Sequence, residues 1–210
     1  MATKITLLLV LAFTTFCASG QDKIPDGYRL APTLSITGDF NGDGKPDTLS
    51  QFVTDSLGKP LTYIVEAGTY EEDIILYSKL GYQNTFTLNG NVANVDNHAA
   101  LGLYCLINIG DLNNDKRDEI VLVPDNMDFS RHNYCYIYTL CSSGWTNLFS
   151  FSVHEGVFDY AGDTAPLFTN IPEVLEYRNK KWRFYDYLDM DYESEEQVGK
   201  MMPLKVPKCN

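Results

Sequence analysis

The chain has 210 residues and a formal net charge of −12, with 28 acidic side chains against 16 basic ones. Hydrophobic residues make up 44% of the chain and aromatic residues 13%, which excludes a disordered protein and predicts a packed core. An acidic surface repels phosphate backbones and anionic lipids, so we expect neither nucleic acid nor a membrane surface as a partner.

Residues 1–20 have the pattern of a secretory signal peptide. Lys4 supplies the positive start, Ile5–Phe16 an apolar run, and small residues up to position 20 a cleavage site. The run is shorter than the roughly 20 residues that span a bilayer, so we expect no membrane span. A lipid on Cys17 would require a small residue before it, whereas the phenylalanine that ends the run stands there. We therefore expect cleavage before Gln21 and a lipid-free protein in the periplasm or outside the cell.

Alternation of polar and apolar residues predicts a single, mostly β domain over residues 21–210. In the first half, the predicted strands are 33–37, 48–53, 61–66, 74–78 and 85–88, followed by an Asn-rich loop at 89–98.

The second half has clearer strand signals. Four sequential antiparallel strands are predicted at 102–109, 120–123, 134–140 and 145–153, and a further hairpin at 174–177 and 182–188. The segment Ile120–Val123 is apolar on both faces, which is typical of a strand buried on both sides. Helical periodicity is weak, and the best candidate for a helix is 193–200.

Two acidic loops of nine residues interrupt the strand pattern. Each has oxygen-bearing side chains at positions 1, 3, 5 and 9, and we expect the backbone carbonyl at position 7 to add a ligand. Calcium accepts six to eight oxygens at about 2.3–2.6 Å in irregular geometry, which suits this spacing better than the strict octahedron of magnesium. The predicted ligands are Asp39, Asn41, Asp43, Lys45 and Asp47 in the first loop, and Asp111, Asn113, Asp115, Arg117 and Glu119 in the second.

These loops are neither EF-hands nor obviously empty turns. An EF-hand needs a glutamate at position 12, where the chain has Ser50 and Leu122. An Asx-rich turn that binds nothing is the alternative, but clustered carboxylates destabilise such a turn unless a cation neutralises them. In the second loop Lys116 replaces the glycine of position 6, which costs on the order of 1 kcal/mol if φ is positive there. We therefore expect one or two Ca²⁺ ions, with the first loop binding more tightly.

The segment Gly38–Asp47 resembles the calcium loop of FG-GAP and VCBS-type repeats, the units of integrin-like propellers, and Gly110–Val121 is similar. The chain also resembles small exported proteins of Bacteroidetes-type bacteria that combine two such loops with a Gly-Trp hairpin, here Gly144–Trp145, and a basic-aromatic hairpin, here Asn179–Trp182. This resemblance implies antiparallel sheets in an incomplete propeller-like arrangement with two calcium loops. Two lobes, at about 28–100 and 101–210, would each carry one loop. No activity is implied.

Four cysteines would remain after cleavage, and an even number in an exported chain favours two disulfides. Cys135 and Cys141 lie in one predicted strand, about 20 Å apart, which is far beyond the roughly 7 Å between the Cα atoms of a disulfide. We therefore expect these two cysteines to pair with Cys105 and Cys209, in either order.

The sequence gives little support to an enzyme. The three histidines have no metal-ligand spacing, and no nucleophile motif is present; they are His98, His132 and His154. The acidic stretch 186–196 could contain a glycosidase pair, but a solvated charged segment is the simpler interpretation. Aromatic residues near the end could form a sugar-stacking surface or pack in the core; they are Trp182, Tyr185, Tyr187 and Tyr192.

These patterns predict an exported, calcium-binding β module without catalytic activity, which binds a protein or a glycan. A periplasmic inhibitor or immunity protein against a cell-wall glycosidase is the alternative. Small periplasmic inhibitors with a similar calcium loop suggest it, and an acidic surface suits lysozyme-like enzymes, which are often basic.

Overall fold

The structure is a computed structural model that describes residues 23–66, 68–95, 100–126, 130–158, 166–187, 190–191, 196–197 and 199–209. The predicted signal peptide and Cys17 lie outside these residues. The elements of the first half are β1 (Tyr28–Leu30), β2 (Thr33–Gly38), β3 (Asp47–Thr54), β4 (Tyr63–Val65), α1 (Tyr70–Leu80), β5 (Gln83–Leu88) and β6 (Asn91–Ala93). Those of the second half are β7 (Ala100–Gly110), β8 (Glu119–Asn126), β9 (His132–Cys141), β10 (Gly144–His154), a 3-10 turn (Glu155–Phe158), β11 (Leu175–Arg178), β12 (Lys181–Phe184), β13 (Met190–Asp191), β14 (Glu196–Gln197) and β15 (Met202–Pro203).

The prediction of a mostly β protein with antiparallel sheets is confirmed. Two four-stranded antiparallel sheets dominate, in the orders β2-β3-β5-β6 and β7-β8-β9-β10. A three-stranded sheet, β11-β12-β15, follows, and two-stranded ribbons pair β1 with β4 and β13 with β14. The four sequential strands predicted for the second half are therefore present, as is the later hairpin.

The second large sheet forms the middle layer of the described structure. On one face Leu106, Leu122 and Tyr138 pack against Leu34 and other residues of the first sheet. On its other face a separate cluster joins the sheet to the C-terminal strands; its members include Ile107, Val121, Ile137, Leu175 and Trp182. The segment Ile120–Val123 is buried at every residue, as its two-sided apolar pattern predicts. Residues from both predicted lobes thus contribute to the cluster between the two large sheets.

Three predictions about secondary structure and arrangement are wrong or unsupported. Residues 74–78, predicted as a strand, lie in helix α1, whose Tyr77 packs on Val53 and Ile64. Within the predicted helix 193–200, residues 196–197 form a strand, and most of the rest lies outside the described residues. The propeller-like arrangement is not found among the described strands, which stack as sheet on sheet instead.

The described cysteines form one disulfide, Cys141–Cys209, rather than the two predicted. Cys105 and Cys135 are buried free thiols. Val123 of β8 is the cross-strand partner of Cys105, and β8 separates β7 from β9. Two strand spacings amount to about 10 Å, too far for a disulfide. The exclusion of a Cys135–Cys141 bond is confirmed, and the disulfide that does form is consistent with an oxidising, exported compartment.

Helix α1 has 11 residues, too few to cross a bilayer, and the described part of the chain holds no other helix that could do so.

Candidate metal centre

The two acidic loops occupy equivalent places in the two large sheets. The first loop (Asp39–Asp47) joins β2 to β3, and Gly38 is the cross-strand partner of Asp47. The second loop (Asp111–Glu119) joins β7 to β8, and Gly110 is the partner of Glu119. Each loop therefore closes the hairpin that begins a four-stranded sheet, which is the placement expected of an internal duplication.

The two loops lie side by side and are hydrogen-bonded to each other. The backbone N–H of Asp39 donates to Oδ2 of Asp118 at 3.1 Å, and the N–H of Asp118 donates to the Asp39 carbonyl at 2.9 Å. Asn108 Nδ2 also donates to Oδ2 of Asp118, at 2.9 Å. Since Asp118 stands at position 8, outside the ligand pattern, its carboxylate joins the loops instead of facing a metal.

In the first loop, internal hydrogen bonds engage the predicted ligands. The carboxylate of Asp39 accepts the N–H groups of Gly42 and Gly44 at 2.9 and 2.8 Å. Asn41 Oδ1 accepts the N–H of Asp43, and Asp43 Oδ1 accepts the N–H of Lys45, both at 2.8 Å. These are the contacts of an Asx turn, and Asp111 and Asp115 accept similar backbone N–H groups in the second loop.

Asp47, at position 9 of the first loop, is held by amide groups. Its carboxylate accepts the backbone N–H of Asn41 at 3.1 Å and Nδ2 of Asn41 at 3.2 Å. Asn89, from the turn between β5 and β6, adds a hydrogen bond of 2.6 Å from Nδ2. Amide donors thus meet the buried carboxylate without a cation.

The second loop brings its three carboxylates together. Asp111, Asp115 and Glu119 each place one oxygen within 4.8 Å of the others. Oxygens on opposite sides of a calcium ion, each about 2.4 Å from it, are about 4.8 Å apart, so this group could hold a metal ion. Among the described residues no other group of three acidic, His or Cys side chains converges in this way. The predicted order of the two loops therefore finds no support in their geometry.

Two buried oxygens of the second loop have no hydrogen-bond partner. Oδ1 of Asn113 and Oδ2 of Asp115 are both inaccessible to solvent, and the Asn113 side chain as a whole is only 7% exposed. Leaving a buried polar atom without a partner costs roughly 1–3 kcal/mol. The first loop has no such atom among its described residues. An oxygen-seeking cation would satisfy both atoms, which are the position-3 and position-5 ligands of the predicted pattern.

Glu119, at position 9, is fully buried. Its Oε2 accepts the N–H of Leu112 at 2.6 Å, and its Oε1 accepts Nδ2 of Asn113 at 2.8 Å. Burial, reinforced by the charges of Asp115 and Asp111, raises the pKa of Glu119 to about 7, although the Leu112 hydrogen bond lowers it. Without a cation, this carboxylate is therefore costly to ionise.

Lys116, at position 6, has the positive φ that was predicted, 75° against 80° for Gly44 in the first loop. Position 4 behaves alike, with 60° at Asn114 and 78° at Gly42. The backbones of the two loops therefore follow the same path. Lys116 adopts a strained conformation there that costs glycine little.

The C-terminal tail (Lys205–Cys209) covers the second loop. Nδ2 of Asn113 donates to the Pro207 carbonyl at 3.2 Å, and Nζ of Lys208 donates to the Asn114 carbonyl at 2.8 Å. The disulfide from Cys209 to the end of β9 fixes this tail in place. The loop is thus enclosed by a segment about 90 residues further along the chain, which no local pattern indicates.

The structure also places the residues considered for catalysis. His98 lies outside the described residues. His132 and His154 are cross-strand partners, and each ring lies near Tyr187, at 6.0 and 5.1 Å between centroids. Trp182 is a buried core residue whose Nε1 donates to the Ile109 carbonyl at 2.9 Å. These contacts are those of packed aromatic residues.

Two residues that matter to the loops carry no metal-site pattern in the sequence, Asn89 and Asp118. The Asn89-Gly90 pair predicts a turn, but nothing local indicates that the Asn89 amide reaches Asp47. Asp118 reads as one more acidic residue of the second loop, and only the neighbouring hairpin gives it a role.

Comparison of the chain with protein-family models, with curated proteins and with solved structures gives no match. The resemblance to FG-GAP and VCBS-type repeats accordingly rests on the loop residues and stays a prediction.

Proposed function

We propose that this protein is an exported, non-catalytic β module in which the second loop binds Ca²⁺ and so fixes the surfaces that bind a protein or glycan. The observation that carries the proposal is the convergence of Asp111, Asp115 and Glu119 beside two buried oxygens without partners. Three carboxylates and an amide oxygen form the hard-oxygen set that calcium prefers. The first loop is the weaker candidate here, which reverses the order expected from the sequence.

The charge of the loop supports a divalent cation as the occupant. Among the described residues, one ion pair reaches the three converging carboxylates, from Nη1 of Arg117 to Oδ2 of Asp115 at 4.0 Å. At 4.0 Å this pair is too long for a hydrogen bond, so the buried Asp115 oxygen still lacks a donor. A divalent ion would neutralise two charges and favour the ionised form of Glu119. Binding of the cation would therefore stabilise the hairpin of β7 and β8, which is the first hairpin of the middle sheet.

Thermal unfolding of residues 21–210, the mature chain expected after cleavage, tests the proposal when it is measured in 1 mM calcium and in chelator. A site with a dissociation constant of about 10 µM adds about 2.7 kcal/mol at this concentration. At this size that corresponds to a rise in Tm of roughly 5–11 °C. We expect Asp115→Asn to abolish the rise, because the variant keeps the acceptor for the Arg117 N–H but loses the charge.

Asp43→Asn is the matched control, since Asp43 stands at the same position of the first loop and accepts the equivalent N–H from Lys45. We expect it to retain the calcium-dependent rise. Loss of the rise in Asp43→Asn alone would move the site to the first loop. Absence of any rise in the unaltered protein would overturn calcium binding altogether.

The inhibitor alternative rests on the net charge of −12 and stays a prediction. Acidic proteins associate rapidly with basic enzymes at low ionic strength. Inhibition of a basic muramidase by the calcium-loaded protein would favour it, and full muramidase activity at equimolar and tenfold excess protein would dismiss it.

A further inference from the structure

An open groove of about 610 Å³ lies between the second loop and the C-terminal sheet. Its apolar lining includes Leu112, Trp182 and Leu204, of which the last two are nearly fully buried. The hydrogen bond from Trp182 to the Ile109 carbonyl orients the indole, so this part of the wall is preformed. A concave surface with a preformed apolar wall is the usual form of a small-ligand site.

Three lysines line the groove in a strongly acidic protein. Lys180, Lys181 and Lys205 are exposed, and none of them takes part in an ion pair among the described residues. Lys180 is held in the two-residue turn between β11 and β12 by φ angles of 53° at Asn179 and 60° at Lys180. Unpaired cations on one concavity attract an anionic ligand, and the acidic remainder of the surface opposes binding of anions elsewhere.

Tyr177 adds an exposed aromatic ring to the same groove. Its side chain is 60% exposed and lies beside the Trp182 ring, with 5.5 Å between the centroids. An exposed tyrosine supplies a flat apolar face and a polar tip at low entropic cost. The apolar face of a pyranose ring packs on such a surface while its substituents reach neighbouring charges.

We infer that this groove binds a carboxylate-bearing saccharide, such as an oligosaccharide of uronic acids. The lysines would bind its carboxylates and Tyr177 would stack on a sugar ring. Peptides commonly add as a strand to a sheet edge, and this groove offers little edge for an acidic peptide to pair with. The edge strand β15 is two residues long, and its Pro203 has no N–H to donate. The other edge strand, β11, lines the groove only at Tyr177.

The inference deepens the proposed function and rests on it in one respect. Asp111 belongs to the carboxylate group of the second loop and also lines the groove, where it is the only acidic residue among the described lining residues. A cation bound at the loop would neutralise this repulsive charge. Calcium should therefore strengthen binding of the saccharide, whereas the lysines and Tyr177 act with or without it.

Calorimetric titration of the mature protein with trigalacturonate, in calcium and in chelator, tests the inference. We expect binding of the charged trimer, no binding of neutral trigalactose, and weaker binding in chelator. Lys181→Gln/Lys205→Gln should lower the affinity about tenfold or more, and Tyr177→Ala by a similar factor. The matched control, Lys59→Gln/Lys79→Gln, removes the same charge from exposed sites outside the groove and should change the affinity less than twofold.

Three outcomes would overturn the inference. These are no binding of the charged trimer at millimolar concentration, an equal loss in the control pair, or equally tight binding of an Asp-rich hexapeptide. The calcium-dependent Tm of each sample separates the two proposals. If trigalacturonate does not bind while the calcium-dependent Tm rise persists, only the saccharide site is overturned. Binding that persists without any Tm rise overturns only the calcium site.

Discussion

Lys116 shows how one residue can be judged against its counterpart in the same molecule. It has a φ of 75° at a position where the first loop has Gly44 at 80°. Left-handed backbone costs a residue with a side chain about 1–2 kcal/mol, part of which glycine returns through its freer unfolded state. We expect Lys116→Gly to raise the free energy of unfolding by up to about 1 kcal/mol in urea denaturation.

The reciprocal change, Gly44→Lys, serves as the control. A Cβ at Gly44 would meet no atom within 4 Å, so its cost is that of the backbone alone. We expect this variant to lose about 1 kcal/mol. If Lys116→Gly also lowers the free energy of unfolding, the Lys116 side chain stabilises the folded protein by more than its backbone strain costs.

Glu119 makes stability depend on pH in the absence of metal. Burial raises its pKa from 4.5 to about 7, so the folded protein binds a proton that the unfolded chain releases above about pH 4.5. The stabilisation that this bound proton gives to the folded state is therefore complete below pH 4.5 and is lost as pH rises to about 7. In urea unfolding with chelator, we expect Glu119→Gln to remove this decline. A difference between the two proteins that stays constant from pH 4.5 to 8 would contradict the assignment.

At the residue scale, the spacing predicted which carboxylates of a loop could converge, but not which of the two loops brings them together. Spacing in a single loop is local, and the three carboxylates of the second loop converge as expected. The preference between loops depends on Asn89, which satisfies Asp47 from the β5–β6 turn, and on Pro207, which faces Asn113 from the tail. Partners so distant along the chain leave no trace in a nine-residue pattern.

At the scale of elements, helix α1 lies where the sequence predicted a strand at 74–78. Ile74 and Ile75 are β-branched and Tyr77 is aromatic, and residues of both kinds are common in strands. The helix is instead marked at its ends. The Thr69 hydroxyl accepts the N–H of Glu72 as an N-cap, and Gly81 ends the helix with a φ of 66°. A capping box with a terminal glycine was present in the sequence and outweighs the composition between them.

The contacts of the C-terminal tail predict that the disulfide and the second loop are coupled. The Cys141–Cys209 bond closes a loop of 68 residues, worth about 4 kcal/mol in a chain-entropy estimate. Because the tail also carries the Pro207 and Lys208 contacts to the second loop, Cys209→Ser should weaken calcium binding as well as stability. Calorimetric titration with calcium at a temperature where the variant is folded measures this, and we expect about a tenfold loss.

Lys208→Ala separates the two effects, since it removes one tail contact while keeping the disulfide. A small loss of calcium affinity with nearly unchanged Tm in chelator is expected. Unaltered affinity in Cys209→Ser would mean that the tail covers the loop without supporting it.

At the scale of the whole molecule, the three stacked sheets bury two thiols in the middle. Burial raises the pKa of Cys105 to about 12, and burial together with Cys105 raises the pKa of Cys135 well above its usual range. Thiolate is the reactive form, so both should be inert in the folded protein. In a protein of residues 21–210, which lacks Cys17, we expect Ellman's reagent to detect no thiol in the native state and two in guanidinium.

Ser78→Cys, on the exposed side of α1, provides the reactive control and should give one fast thiol in the native protein. Zero thiols in guanidinium would show that a second disulfide forms after all. A native thiol in the unaltered protein that reacts as fast as this control would contradict the burial of both residues.

Strand content was predictable at this scale because period-2 alternation records which faces of each strand are covered. The layering was not, since the same alternation suits a lobe that packs alone or a sheet that packs on another. Only β8, buried on both faces, signalled a central position. The pairing of Cys105 failed for the same reason, because β8 separates β7 from β9.

The tail over the second loop has a consequence for biosynthesis. Asn113 and its partner Pro207 are 94 residues apart, so both large sheets can be synthesised and translocated well before the loop gains its cover. A chain that stops short of Pro207 would keep every strand of the described part and would lose this cover and the disulfide. Under the proposed calcium binding, calcium affinity would then report whether a molecule has been translated past Pro207 and oxidised at Cys209, so that ion capture would follow oxidation of the tail.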